Sequence, residues 1–341
     1  MTDTTQVVST EKNDCCHNLK VRVLNDRMSY RDLIVGIIFL SQTIVGIVEN
    51  FSLLYHYLFL YHTECRVRST HLILRHLTIA NSLVILSKGV PHTMASFGLK
   101  HFFSEFGCKL LFCVQRVGRG MSIGSTCLLT VFQTIMISPM NSCLKEFKVK
   151  APKYIGFSIS FCWIQFMFVN LVFPLLYVFS NRSMKNFTKK GDLGYCLAVD
   201  HDTITVSVYA VLIVLPEASL CGLTIGASSS MVFLLHRHKQ RVQHIHSTNV
   251  TPRSSAESRA TQSILVLVST FVSFYFLSSV FHVCVALLCN RSWWLVNTAA
   301  MISVCFPTVC PFLLMGRNSA ISRLCFAWIT NITFPNLIRN M

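Results

Sequence analysis

The sequence predicts an all-α membrane protein, a seven-transmembrane helix bundle with its N-terminus outside and its C-terminus cytoplasmic. Three observations carry this. Of 341 residues, 52% are hydrophobic and 13% charged, with a mean hydropathy of +0.53, whereas soluble proteins carry about 25% charge. Seven stretches are long enough to cross a hydrocarbon core of ~30 Å, which takes about 20 apolar residues in helix. Lysine and arginine collect in alternate connections, as expected of cytoplasmic loops.

The predicted segments run Leu33–Leu60, Leu72–Phe97, Cys108–Ile137, Tyr154–Phe179, Ile204–Leu235, Ser263–Cys289 and Trp293–Met315. The second is interrupted by His76, Asn81, Ser82, Ser87 and Lys88. An odd number of crossings puts the termini on opposite sides. With the N-terminus outside, the inner loops and tail hold Arg66, Arg68, Lys145, Lys148, Lys150, Lys153, Arg237, Lys239, Arg241, Arg253, Arg259, Arg317, Arg323 and Arg339. These outnumber Lys100, Arg182, Lys185, Lys189, Lys190 and Arg291 in the outer loops, although the N-terminal segment adds Lys12, Lys20, Arg22, Arg27 and Arg31 outside. The glycosylation sequons at Asn181 and Asn186 fall in the loop after segment four, on the side the charge count makes external. Residues 1–32 contain no continuous apolar core of the kind a cleavable signal peptide needs. The predicted layout is an extracellular segment 1–32, a seven-helix membrane domain 33–315, and a cytoplasmic tail 316–341 in which Ala320–Thr330 suits a short interfacial helix. The basic first half of the third inner loop, from His236, is helix-compatible and extends segment five; its Ser/Pro-rich centre, Thr248–Ser258, reads as a linker.

Several function classes are excluded at this level. The net charge of +16 comes with no zinc-finger spacing, RNA-binding sheet motif or basic recognition helix, so it reads as loop charge and not as a nucleic-acid surface. Most of the 15 cysteines lie in apolar runs, where Cys behaves as a small hydrophobe, and no CxxC or metal-ligand spacing occurs. Gly118-Arg-Gly120 and Gly124 belong to no phosphate loop, since neither a strand nor a Gly-Lys-Ser/Thr accompanies them; they suit close helix packing. No Ser-His-Asp set or HExxH supports an enzyme, and no cofactor is implied. Cys108 and Cys196 both fall on the outer side, where an oxidising environment lets them pair. Cys15, Cys16 and Cys289 lie on the same side, so spacing alone does not single out that pairing.

The chemistry concentrates in segment three. An arginine at bilayer depth costs at least ~2.5 kcal/mol, yet Arg116 and Arg119 lie about 12 Å and about 17 Å along the helix from Cys108. Two readings stand beside each other: a polar floor offering donors to a ketone, ester, carboxylate or sulfate, or an intrabundle pairing with Glu49, Glu217 or Asn81. Glu217 follows Pro216, a residue that kinks helices and makes room for ligands, and it is a natural counter-charge to Arg119. His92, beside Lys88 and Pro91, and His282 are further polar candidates, although a lone histidine in an apolar helix is more often hydrogen-bonded filler. Tyr275 joins Tyr209, Phe274, Phe281, Trp293 and Trp294 as a pocket wall or an interfacial belt. Asn50, Asn81, Asn170 and Asn297 suit helix-to-helix bonds.

The runs HLTIANSLVILSKGVPHTMASFG, FGCKLLFCVQRVGRGMSIGSTCLLTVFQTIMISP, KVKAPKYIGFSIS, RHKQRVQHIHSTNV, PRSSAESRATQSILVLVSTFVSFY, SWWLVNTAAMISVCFPTVCPFLLM and SRLCFAWITNITFPNLIRNM resemble the vomeronasal type-1 receptor family, in order and over Arg31–Met341. The resemblance implies a seven-helix G-protein-coupled receptor of vomeronasal or olfactory neurons at the plasma membrane. It implies a pheromone-like small-molecule ligand and an inhibitory-class heterotrimeric G protein. The G protein would approach Arg237, Lys239, Arg241 and Arg259; the plainer role for these basic groups is contact with anionic lipid. The alternatives are a bitter-taste-like receptor, against which GRGMSIGSTCLL and the Cys108–Cys196 pair argue, and a small transporter or channel. The latter predicts internal repeats or matched broken helices, which the sequence lacks.

The chain shares this family's departures from commoner rhodopsin-like receptors: Thr134-Ile-Met-Ile-Ser-Pro139 ends segment three, segment seven has Pro307 and Pro311 without Asn-Pro-x-x-Tyr, and Asn81 stands where an acid is common. Within the family Glu49 stands where glycine is usual, an intramembrane acid that works against folding. Family members often begin just before an Arg-Asp-Leu string such as Arg31-Asp32-Leu33, so Met1 and Met28 both stand as starts, residues 1–27 being an upstream extension in the second case. Mass spectrometry of the expressed protein decides between them: a peptide within Thr2–Arg27 rules out the Met28 start.

Overall fold

The computed structural model describes residues 30–63, 69–99, 103–138, 142–172, 190–192, 197–199, 203–245, 256–287 and 293–315. Among them run seven helices. Helix α1 is Tyr30–Thr63. Helix α2 is Ser69–Val84, continued through a π turn, Ile85–Gly89, into Val90–Ser96. Helix α3 is Glu105–Ile137, and α4 is Ser142–Met167, prolonged by a π turn, Phe168–Val172. After a small hairpin come α5, Thr203–Ile245, α6, Ala256–Leu287, and α7, Trp293–Met315. The predicted seventh segment coincides with α7. Helix α5 runs ten residues past Leu235, to Ile245, so the basic half of the inner loop is helical. The unpredicted feature is the antiparallel pair of strands β1, Lys190–Asp192, and β2, Leu197–Val199, registered Lys190 to Val199. With three residues each, they decorate a helical bundle. The tail segment 320–330, most of the Ser/Pro-rich linker, and Asn181, Asn186 and Cys196 lie outside the described residues.

By length and apolarity, four of the described helices suffice to cross a membrane: α1, α3, α5 and α7, with a shorter apolar stretch, Leu265–Phe281, in α6. Helix α3 is the axis. Of its apolar window 61% is buried within the protein, against 28% in α1, 17% in α5 and 44% in α7. It packs against α2, α4, α5 and α6. Its start is capped by Ser104, whose Oγ accepts from the Gly107 N–H at 3.2 Å, satisfying one of the orphan donors of a first turn. It stops at Ser138, directly before Pro139, where a residue preceding proline leaves the helical region.

Glycines bring the helices close to α3. A Cβ on Gly118 would lie 3.0 Å from the Ala80 carbonyl oxygen and 3.1 Å from Leu83 Cβ on α2, and one on Gly120 would overlap the Phe166 ring of α4. Small residues at such crossings permit van der Waals packing where no hydrophobic driving force separates helix from lipid. The core formed around them includes Leu77, Met121, Leu129, Ile159, Phe166, Leu267, Phe271, Phe306 and Cys310.

Polar bonds supply the rest. Pro311 has no N–H for the Pro307 carbonyl one turn earlier; Asn50 Nδ2 of α1 donates to that carbonyl at 2.9 Å and so ties α1 to α7. Ser122 Oγ of α3 donates to Asn81 Oδ1 of α2 at 3.0 Å. Trp163 Nε1 of α4 donates to His76 Nδ1 of α2 at 3.2 Å. Of the asparagines expected to join helices, Asn50 and Asn81 do so through their side chains. Asn170 Nδ2 and Asn297 Nδ2 donate to their own helices, at Phe166 and Trp293, and the Asn170 carbonyl accepts from Cys113 Sγ of α3 at 2.9 Å. Glu49 is buried, 7% exposed, and its Oε2 has no hydrogen-bond partner among the described residues.

The glycine contacts predict that Gly120→Val, which drives two methyls into the Phe166 ring, destabilises the bundle by roughly 1–3 kcal/mol or more. Thermal unfolding of the purified protein reads this, with Gly156→Val as control because nothing lies within 4 Å of a Cβ there. Equal melting temperatures for the two variants would contradict the packing.

Candidate functional site

Arg119 stands midway along α3 between the two glycines that face α2 and α4, so its side chain leaves toward α5 and α6. There it is held from three directions. Its Nε donates to Glu217 Oε2 of α5 at 3.3 Å. Its Nη1 donates to Ser278 Oγ at 2.9 Å and its Nη2 to Ser279 Oγ at 3.0 Å, both on α6. The guanidinium carbon lies 5.0 Å from the centroid of the Tyr275 ring, a cation–π distance. The planar fork of arginine suits such divergent acceptors; a lysine has neither the reach nor the geometry.

The network continues to α2 and α7. Ser278 Oγ lies 3.1 Å from Ser303 Oγ of α7, and Ser303 accepts from Lys88 Nζ of α2 at 2.9 Å. Lys88 sits in the π turn of α2, just ahead of Pro91 in the turn that follows. Such insertions re-aim side chains and recur at functional positions. Here the turn aims a 5% exposed ammonium into the bundle with Arg116 and Arg119 as its charged neighbours. Three basic side chains thus share the region with Glu217, which is already engaged by Arg119.

A narrow cavity of about 10 Å³, room for a single water, adjoins this cluster. Its lining comes from four helices: Val84, Gln115 and Arg119, then Phe274, Tyr275 and Ser278, then Ile302, Ser303 and Phe306. The packing beneath it is aromatic, with the Phe271 ring 4.3 Å from Tyr275 and edge-on to Phe306 at 5.0 Å. A mostly apolar wall with a few convergent polar groups is the composition of small-molecule sites.

Of the residues singled out from the sequence, Arg119, Glu217 and Tyr275 come together here. Arg116, one helical turn away, is exposed and absent from the lining. His92 is buried against Phe39, rings stacked at 5.2 Å, the filler arrangement. His282 lies in α6 with its side chain outside the described residues, as are those of Lys239, Arg241 and Arg259; Arg237 is exposed on α5. Trp293 and Trp294 are exposed, as belt residues are, while Phe274 lines the cavity. Ser278, Ser303 and Gln115 were missed. Hydroxyls and amides in apolar helices ordinarily signal helix contacts, and only the π turn hinted at by Pro91 beside Lys88 pointed inward. Cys108 is disulfide-bonded.

The model of the vomeronasal organ pheromone receptor family matches residues 33–327. Vomeronasal type-1 receptor 2 of Homo sapiens is 58% identical over 84% of this chain and 72% of its own length. Vomeronasal type-1 receptor 4 of Homo sapiens is 53% identical over 88% of this chain and 99% of its own. In fold, the chain is similar to the crystal structure of squid rhodopsin, with a TM-score of 0.62 and 13% identity, covering 88% of this chain and 87% of that one. A seven-helix bundle of G-protein-coupled-receptor architecture and a family match across nearly all of it lead to one statement: the chain belongs to the vomeronasal type-1 receptor family, multi-pass membrane receptors and not a class of enzymes.

Proposed function

We propose that the cavity beside Arg119, enlarged as α5 and α6 part from α3, binds a pheromone-like small molecule and that its occupation activates a heterotrimeric G protein of the inhibitory class at the plasma membrane. The observation that carries this is the single side chain joining α3, α5 and α6 at the cavity wall. A ligand bearing a ketone, ester, carboxylate or sulfate oxygen competes with Glu217, Ser278 and Ser279 for the same N–H groups, and the local excess of basic groups over acidic ones favours it. Once Arg119 turns to the ligand, α5 and α6 lose the polar tie it gives them to α3, and α5 keeps its packing and the bond from Thr134 Oγ1 to the Ala227 carbonyl at 3.0 Å. The ligand acts by binding the parted arrangement better, a population shift. The amplitude is limited by what is exchanged: a hydrogen bond to a charged group contributes about 1.5–3 kcal/mol, so losing one moves the balance tenfold or more.

In this reading residues 33–315 form the receptor domain with the N-terminus outside, residues 1–32 an extracellular segment, and 316–341 a cytoplasmic tail. Cys108 pairs with Cys196 and pins the outer loop over the bundle, Asn181 and Asn186 carry glycans on that loop, and the basic end of α5 from Arg237 onward, with Arg259, meets the G protein. The basic inner loops support the orientation.

Arg119→Ala tests the proposal. In cells with an inhibitory-class G-protein reporter, surface-expressed Arg119→Ala should raise ligand-free signalling several-fold and lower potency in a ligand panel by at least about tenfold. Arg116→Ala should change both far less. Wild-type basal signalling and full potency in Arg119→Ala would overturn the assignment.

A further inference from the structure

Helices α4 and α5 both pack on α3, and among the described residues they barely meet each other. The gap is a cleft of about 560 Å³, with Phe161 and Leu215 on its rim, Leu220 deeper, and Ser158, Gln165 and Ser219 as its polar groups. Among the described residues no charged side chain lines it. The rim faces outward, Leu215 being 64% and Phe161 57% exposed, and in a multi-pass membrane protein an outward flank at mid-height meets lipid. The height follows from the neighbours. Phe166, next to Gln165, lies against Gly120, close to the midpoint of the 33-residue α3.

At that depth the polar groups are out of place. Ser219 Oγ donates to the Pro216 carbonyl at 2.9 Å, but among the described residues neither the Gln165 amide nor the Ser158 hydroxyl has a hydrogen-bond partner. Two helical turns apart, they share one face of α4 about 10 Å from each other. An unpaired amide in hydrocarbon costs several kcal/mol. Acyl chains offer it nothing, and phospholipid head groups lie about 15 Å away, half the core thickness. A charged partner is excluded by the cost of charge at the midplane and by the uncharged lining.

We propose that the α4–α5 cleft is a second binding site, entered from the bilayer, for an uncharged membrane-dissolved amphiphile whose single hydroxyl or carbonyl pairs with Gln165. Its apolar body lies against Phe161, Leu215 and Leu220. The α5 wall includes Pro216, adjacent to the Glu217 that holds Arg119, so an occupant presses on the segment carrying the central ion pair. The site stands independently of what the central cavity binds.

The test uses the full-length receptor in nanodiscs with two photoprobes, a diazirine- and alkyne-bearing dodecanol and the matching dodecane. Peptides covering 157–165 and 215–220 should be labelled by the alcohol about three- to tenfold more than by the alkane, the worth of one hydrogen bond. Gln165→Leu, of similar size, should reduce the alcohol to the level of the alkane. Should that variant fail to fold, Ser219→Phe, an exposed position that fills the cleft from the other wall, should reduce labelling by both probes. Equal labelling of wild type by the two probes, an unchanged preference in Gln165→Leu, or labelling undiminished by Ser219→Phe would overturn the proposal, as would equal labelling of the remote lipid-facing Tyr55 and Trp294.

Discussion

A guanidinium inside an apolar bundle must be given partners or the bundle does not form, and the arrangement around Arg119 follows from that requirement. Its ion pair with Glu217 and its bonds to Ser278 and Ser279 fix the approach of α5 and α6 to the axial helix. Breaking such a pair, here partly buried with side chains 17% and 16% exposed, by removing one partner costs more than the pair contributes, because the survivor stays charged and unpaired. Such a cluster is therefore a poor source of stability and a good source of specificity in helix arrangement. It admits few arrangements, and in the proposed function a ligand oxygen substitutes for one of its members.

The packing beneath supports the same geometry. Gly118 admits α2 and Gly120 admits Phe166 of α4 on the two sides of Arg119, which leaves the arginine one direction to take. Asn50 restores the hydrogen bond that Pro311 denies to Pro307, anchoring α7, whose Ser303 carries the network on to Lys88. These contacts hold α1, α2, α3 and α7 together independently of α5. That helix makes its chief contacts with α3 and is the least buried of the apolar spans. A helix attached mainly through one neighbour and one ion pair is the one a change at that pair moves most.

Much of this was legible in the sequence. Runs of apolar residues place seven helices because a membrane span has a length set by the bilayer, and α7 matched residue for residue. The arginines drew attention because charge in such a run is expensive, and Glu217 beside Pro216 was named as a counter-charge. What could not be read was which arginine turns inward: at three residues apart both lie near one face, and the choice depends on where neighbouring helices sit. The glycines flanking Arg119 were the available signal, once each is assigned a neighbour. Ser278, Ser303 and Lys88 meet across separations that no local pattern encodes. The β1–β2 hairpin was missed because three-residue strands bounded by Lys190 and Asp192 have no apolar alternation to betray them. Glu49, expected to work against folding, is accommodated as a buried acid with one oxygen unpaired among the described residues, and the pairing offered for it as one alternative went to Glu217.

The central claim is that Arg119 and Glu217 act as one unit in the resting receptor. A double-mutant cycle on the melting temperature of purified receptor, with Arg119→Ala, Glu217→Ala and the two combined, measures this most directly. Coupled residues give a double variant no less stable than the worse single one, because the second substitution removes a group already stranded by the first. Losses that simply add would show that the two charges do not depend on each other, and would contradict the account.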